Sequence, residues 1–252
     1  MSILLITAML VLSVTAFADD LSSMSLEELN ALRDERLSSL SEVNSAIGAI
    51  IKANTENTSS GDAVGKINEI FPDEQLAMYV RDMTGKLSIQ QPVMQDELDT
   101  ITQLYNLDYK PADLTGVSYL RNLNTIYFNG DVFGSDPLLI PDEICLLSHL
   151  EVLNLPWCDV ASLPKDIGNI ATLTDIYLED APISSLPESI GNLVNLTTLK
   201  LSGTKISSLP ESIGNCTALK NLDISDTLIT SLPDSIWNLT LDSINLSGTG
   251  IK

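Results

Sequence analysis

A six-residue frame, Leu-x-x-Leu-x-Leu, returns through the second half of the chain and limits its folding options more than any other feature. It opens at Leu150 as Leu-Glu-Val-Leu-Asn-Leu and recurs at Leu173, Leu196, Leu219 and Leu241, in steps of 23, 23, 23 and 22 residues. An earlier copy begins at Leu123, 27 residues before Leu150, with an insertion near Gly130 to Pro137. Each unit runs on into a second block, Leu/Ile-Pro-x-x-Ile, at Ile140-Pro141, Leu163-Pro164, Leu186-Pro187, Leu209-Pro210 and Leu232-Pro233. A fixed period of this length means one supersecondary unit per repeat. Such a unit cannot bury its apolar face alone and is stable only when stacked on its neighbours.

The pattern is that of a leucine-rich repeat. The fold expected is an α/β, right-handed solenoid with a parallel sheet on its concave face and an N-terminal helical cap. Each Leu-x-x-Leu-x-Leu supplies one short strand whose leucines point inward. The proline, which cannot donate to a ladder, suits the turn onto the convex side, where Ile167, Ile190, Ile213 and Ile236 close the core. The ninth place of each unit holds Asp131, Cys158, Ala181, Thr204, Thr227 and Thr249. A Thr hydroxyl can satisfy backbone groups there, whereas Cys158 and Ala181 can do little of this, so a looser ladder is expected at those two coils.

Before the repeats the chain divides into further segments. Residues 3 to 18 carry no charge and end in Ala16-Phe17-Ala18. This is the hydrophobic region and small-x-small cleavage pattern of a secretory signal peptide, which predicts export and a mature start at Asp19. Residues 19–53 read as an amphipathic helix opened by the capping box Ser25-Leu26-Glu27-Glu28, suited to docking on its own domain or on a partner. A polar linker is expected over 54–65. A helical cap over 66–110 follows, with one helix from Phe71-Pro72-Asp73-Glu74 to about Gly85 and another around Met94 to Ile101. The repeats are expected to fill 111–252.

Composition narrows function. Thirteen Lys and Arg against 34 Asp and Glu leave a net charge of −21, which repels nucleic acid and anionic lipid. One histidine in the chain removes most imidazole-based metal sites and nucleophile–base pairs. No catalytic residues, cofactor or metal are expected. His149 reads as a surface residue, and Asp223, Asp226 and Asp242 as a solvated face. Cys145, Cys158 and Cys216 form neither a disulfide framework nor a zinc pattern, and Cys158 and Cys216 fall at core positions of the repeat.

The stretch Ile70-Phe71-Pro72-Asp73-Glu74-Gln75-Leu76, then Gln95-Asp96-Glu97-Leu98-Asp99-Thr100-Ile101, then Leu114-Thr115-Gly116-Val117-Ser118-Tyr119-Leu120-Arg121-Asn122-Leu123, resembles the cap and first repeats of internalin-like leucine-rich repeat proteins of bacteria. The resemblance spans roughly residues 66 to 252. It implies a secreted or surface-displayed binding protein.

Because strand side chains alternate, the x positions face outward from the concave sheet. The expected ligand-binding residues are Tyr127, Asn154, Trp157, Tyr177, Glu179, Lys200, Asp223 and Asn245, with Tyr127, Trp157 and Tyr177 as an aromatic patch and Glu179, Asp180, Asp223 and Asp226 as an acidic strip. The function expected is non-catalytic recognition of a protein or peptide, with a basic or amphipathic partner favoured by the acidic strip. The alternatives are an intracellular scaffold, should residues 1 to 18 stay attached, and a structural surface protein that self-associates through the first helix or the coil ending at Gly250-Ile251-Lys252.

Overall fold

The computed structural model describes residues 63–105, 111–130 and 137–252. All of them belong to the second of two compact units, Lys52–Lys252. The expected signal peptide, first helix and most of the linker lie outside the described residues, as does the core of the insertion between Gly130 and Pro137.

Seven parallel strands form one sheet in sequence order: β3 (Gln103–Tyr105), β4 (Thr125–Tyr127), β5 (Val152–Asn154), β6 (Asp175–Tyr177), β7 (Thr198–Lys200), β8 (Asn221–Asp223) and β9 (Ser243–Asn245). The register never slips. Leu104, Ile126, Leu153, Ile176, Leu199, Leu222 and Ile244 pair in one inward row. All of them except Ile244 are buried. The period-2 alternation fixes this, because a one-residue slip would send the whole apolar row to solvent. From β4 onward each crossover returns through a short 3-10 turn, such as Glu188–Asn192 and Glu211–Asn215, whose isoleucine closes the far side of the core. The solenoid expected from the repeat is therefore the fold observed.

At Cys158 and Ala181, where a looser ladder with water or backbone partners filling in is expected from the sequence, backbone partners do fill in and the ladder is no looser than in the threonine coils. Just before them, the Trp157 and Asp180 N–H groups donate to Glu179 O and Ser202 O of the next coil at 2.7 and 2.8 Å. The Cys158 thiol itself reaches Phe128 O at 3.4 Å. The threonines at the same place bond inside their own coils, Thr204 to Leu201 O and Thr227 to Ile224 O at 2.8 and 2.7 Å. The backbone carries the contact between coils, so the ninth side chain does not decide its tightness.

The cap is mixed rather than purely helical. Strand β1 (Ala63–Lys66) begins inside the stretch expected as linker and pairs antiparallel with β2 (Pro92–Met94). One-turn helix α1 (Ile67–Ile70), helix α2 (Glu74–Met83) and one-turn helix α3 (Gln95–Leu98) complete it, the last shorter than the Met94 to Ile101 expected. Asp73 joins cap to repeats: one carboxylate oxygen caps α2 by accepting from Leu76 N at 2.8 Å, and the other accepts from the Ala112 and Asp113 N–H groups at 2.9 and 3.2 Å. Strand β3 falls within the segment expected as cap, so the solenoid starts one coil earlier than its leucine pattern announces. Phe71, Leu76, Leu98 and Ile101 carry the cap's buried surface into that first coil.

Candidate functional site

The fifth place of each coil projects from the concave face and forms one column: Tyr105, Tyr127, Asn154, Tyr177, Lys200, Asp223 and Asn245. The expected residues Tyr127, Asn154, Tyr177, Lys200, Asp223 and Asn245 therefore share a single line. Tyr105 joins them at its N-terminal end, where its ring meets that of Tyr127 with centroids 6.0 Å apart and planes tilted by 56°. Tyr105 was hidden in sequence because its coil reads Ile101-Thr102-Gln103-Leu104-Tyr105-Asn106, with Asn where the sixth leucine belongs. The spacing of Ile101 and Leu104 is the signal that could have found it.

Beyond each strand from β5 to β9 the chain bends at the eighth place through left-handed backbone: φ is 56° at Trp157, 57° at Asp180, 71° at Gly203, 53° at Asp226 and 72° at Gly248. Glycine and aspartate tolerate this conformation, whereas a bulky tryptophan pays about 1–2 kcal/mol for it. Trp157 nevertheless keeps 40% of its surface exposed on the rim beside Asn154. Its N–H bonds Glu179 O, which places Glu179 on the neighbouring coil at the same edge.

Seventh-place residues decide which column side chains are tied down. In the β8 coil Asp223 Oδ1 accepts from Ser225 N at 3.1 Å and Ser225 Oγ at 2.7 Å. In the β9 coil Asn245 Oδ1 does the same with Ser247, at 3.2 and 2.8 Å. The β5 coil has Pro156 in that place, with neither N–H nor hydroxyl. Asn154 accordingly makes no side-chain hydrogen bond among the described residues, although it stands between Tyr127 and Tyr177.

The C-terminal half of the column is charged. Lys200 Nζ lies 3.7 Å from Asp223 Oδ2. Burial pulls the Asp223 carboxyl upward, but Ser225, Asn245 and Lys200 outweigh it and hold it below the usual carboxylate range. Glu179 moves the other way: desolvation raises it, nearby Asp223 and Asp180 add to the rise, and its Oε2 is buried without a hydrogen-bond partner. Tyr177 is likewise raised, by desolvation and then by the carboxylates of Asp175 and Glu179. Asp175 is itself pinned, accepting from Thr174 Oγ1 at 2.7 Å.

Nothing in this face has the composition of a reaction centre. No group of three or more His, Cys, Asp or Glu suited to a metal occurs among the described residues. Burial pushes the Cys145 thiol up to about 12 and those of Cys158 and Cys216 up to about 11, so all three are poor nucleophiles at neutral pH. His149 is exposed and meets Ser148 and Arg121 O.

Two family models match the chain: the N-terminal region of bacterial adhesion/invasion proteins, the internalin N-terminal model, over residues 51–99, and leucine-rich repeats over residues 194–243. The chain is similar to internalins at its cap and to leucine-rich repeat proteins in its repeats. Among solved structures, a leucine-rich repeat protein of Leptospira interrogans is 28% identical with a TM-score of 0.54, covering 62% of this chain and 39% of its own. An internalin of Listeria monocytogenes is 24% identical with a TM-score of 0.57, covering 77% of this chain and 62% of its own. An internalin-like protein of Listeria monocytogenes is 23% identical with a TM-score of 0.53, covering 73% and 64%. The two Listeria proteins share the solenoid fold of this chain. The chain spans less than two thirds of the length of each of these proteins.

Proposed function

We propose that this chain is a secreted or surface-displayed recognition protein that binds a protein or peptide on the concave face of its solenoid, without catalysis. One observation carries the reading. The N-terminal half of the fifth-place column concentrates aromatic side chains, Tyr105, Tyr127 and Tyr177 with Trp157 on the rim, in a chain that is only 5% aromatic. Exposed aromatics gathered on one face are the usual anchors of protein interfaces. The carboxylates of Glu179, Asp180, Asp223 and Asp226, together with the overall charge, favour a basic partner. The uncharged segment ending at Ala18 supports export.

The test is selection from a random peptide library displayed on phage, against the immobilised chain and against the Tyr127→Ala/Trp157→Ala/Tyr177→Ala variant. Peptides enriched on the native chain are expected to lose at least tenfold in affinity for the variant while its unfolding transition stays cooperative. Enriched peptides that bind both proteins equally would remove the concave face from the account.

A further inference from the structure

Resting on the concave-face reading, we propose that the segment Tyr127–Asn154–Tyr177 is a cradle for a proline-rich peptide in the polyproline II conformation, with a basic residue of that peptide directed at the carboxylates beside Tyr177.

The argument begins with spacing. Tyr127 and Tyr177 occupy equivalent places two coils apart. At about 4.8 Å per strand, that separates them by about 9.6 Å along the solenoid axis. A polyproline II helix repeats every three residues, or about 9.3 Å. Two turns of an α-helix rise about 10.8 Å, and an extended strand returns a side chain to the same face every 6.8 Å or so. Of the three regular peptide shapes, polyproline II matches this interval most closely, to about 0.3 Å against about 1.2 Å for the α-helix and about 2.8 Å for the strand. Tyrosine faces are also the surfaces on which such peptides dock.

Hydrogen bonding supplies the second, independent support. A polyproline II segment makes no internal backbone hydrogen bonds, so its carbonyls seek external donors. Asn154 stands between the two rings in the strand register, its Oδ1 is released by Pro156 from the turn that ties back Asp223 and Asn245, and its Nδ2 remains free to donate. The column thus has an available donor where the peptide turns a carbonyl toward the sheet. Trp157, partly exposed, follows Asn154 by three residues in the same coil.

Charge sets the flanking residue. Asp175 and Glu179 act on Tyr177, Asp180 follows Glu179, and the one cation of the column, Lys200, is shared between Asp223 and Glu179. A lysine or arginine beyond the second contact proline meets unbalanced negative charge.

The experiment uses the full chain carrying Trp237→Phe, so that Trp157 is its only tryptophan, and follows its fluorescence on titration with a synthetic oligoproline ending in arginine. A Gly-Ser peptide of equal length ending in arginine is the control. Saturable binding of the oligoproline is expected, at least tenfold tighter than the control. Asn154→Asp, which removes the amide donor, is expected to weaken it about five- to tenfold with the unfolding midpoint unchanged. Equal affinity for the two peptides, indifference to Asn154→Asp, or no saturable binding would overturn the cradle. If the oligoproline fails while library peptides still lose affinity for the triple alanine variant, the cradle falls and concave-face recognition stands.

Discussion

At the scale of single residues, repetition makes exceptions informative. The eighth place of every coil from β5 to β9 has positive φ, and two of these five places hold glycine. Trp157 departs from that preference at a cost in backbone strain and keeps its ring partly in solvent, which points to selection on the ring rather than on the turn. The sequence register identified this residue but not its backbone, because nothing in Pro-Trp-Cys announces a left-handed turn. Glu179 is the corresponding exception in charge. Its folded pKa is raised, so folding favours the neutral form; that contribution is present below the ordinary value of 4.5 and is lost as pH rises through the folded pKa. Glu179→Gln is therefore expected to raise the urea midpoint at pH 7 and to change it less as pH falls below 4.5. A variant less stable than the native chain at pH 7 would contradict the net desolvation of this half-buried carboxylate.

At the scale of the element, the 3-10 turns show how closely successive coils pack. Gly168, Gly191 and Gly214 recur at one place, and a Cβ on each would run into the following coil's Ser189, Ser212 or Ser235. None of the three has positive φ. Replacing glycine at ordinary φ usually stabilises by restricting the unfolded chain, but here overpacking wins. Gly191→Ala is expected to cost about 1–3 kcal/mol in urea unfolding. Trp237 occupies the same place in the turn Asp234–Asn238 and is 81% exposed, so Trp237→Ala is expected to cost far less. Equal losses would mean that the serine contacts do not limit the turn. Elements were legible where the leucine frame was intact. The first coil escaped because Asn106 interrupts that frame, and the ribbon of β1 and β2 escaped because four- and three-residue strands in a polar context leave no alternation to read.

At the scale of the whole molecule, the aromatic column gains its coherence from the unbroken register. Seven strands hold their fifth residues in line, so residues 22 to 27 positions apart in sequence become neighbours on one surface. The repeat period made that surface predictable before any coordinates, including six of the column's seven members. Its division into an aromatic half with a loose amide and a charged half tied by serines emerged only from side-chain geometry. With a net charge of −21, binding of a basic partner should weaken with added salt, while the ring contacts should not. The most direct measurement of the central claim is hydrogen exchange on the chain with and without a library-selected peptide. Protection is predicted to centre on β4, β5 and β6 and the turns that follow them. Protection confined to the convex 3-10 turns or to the β9 coil would contradict the concave face as the site of recognition.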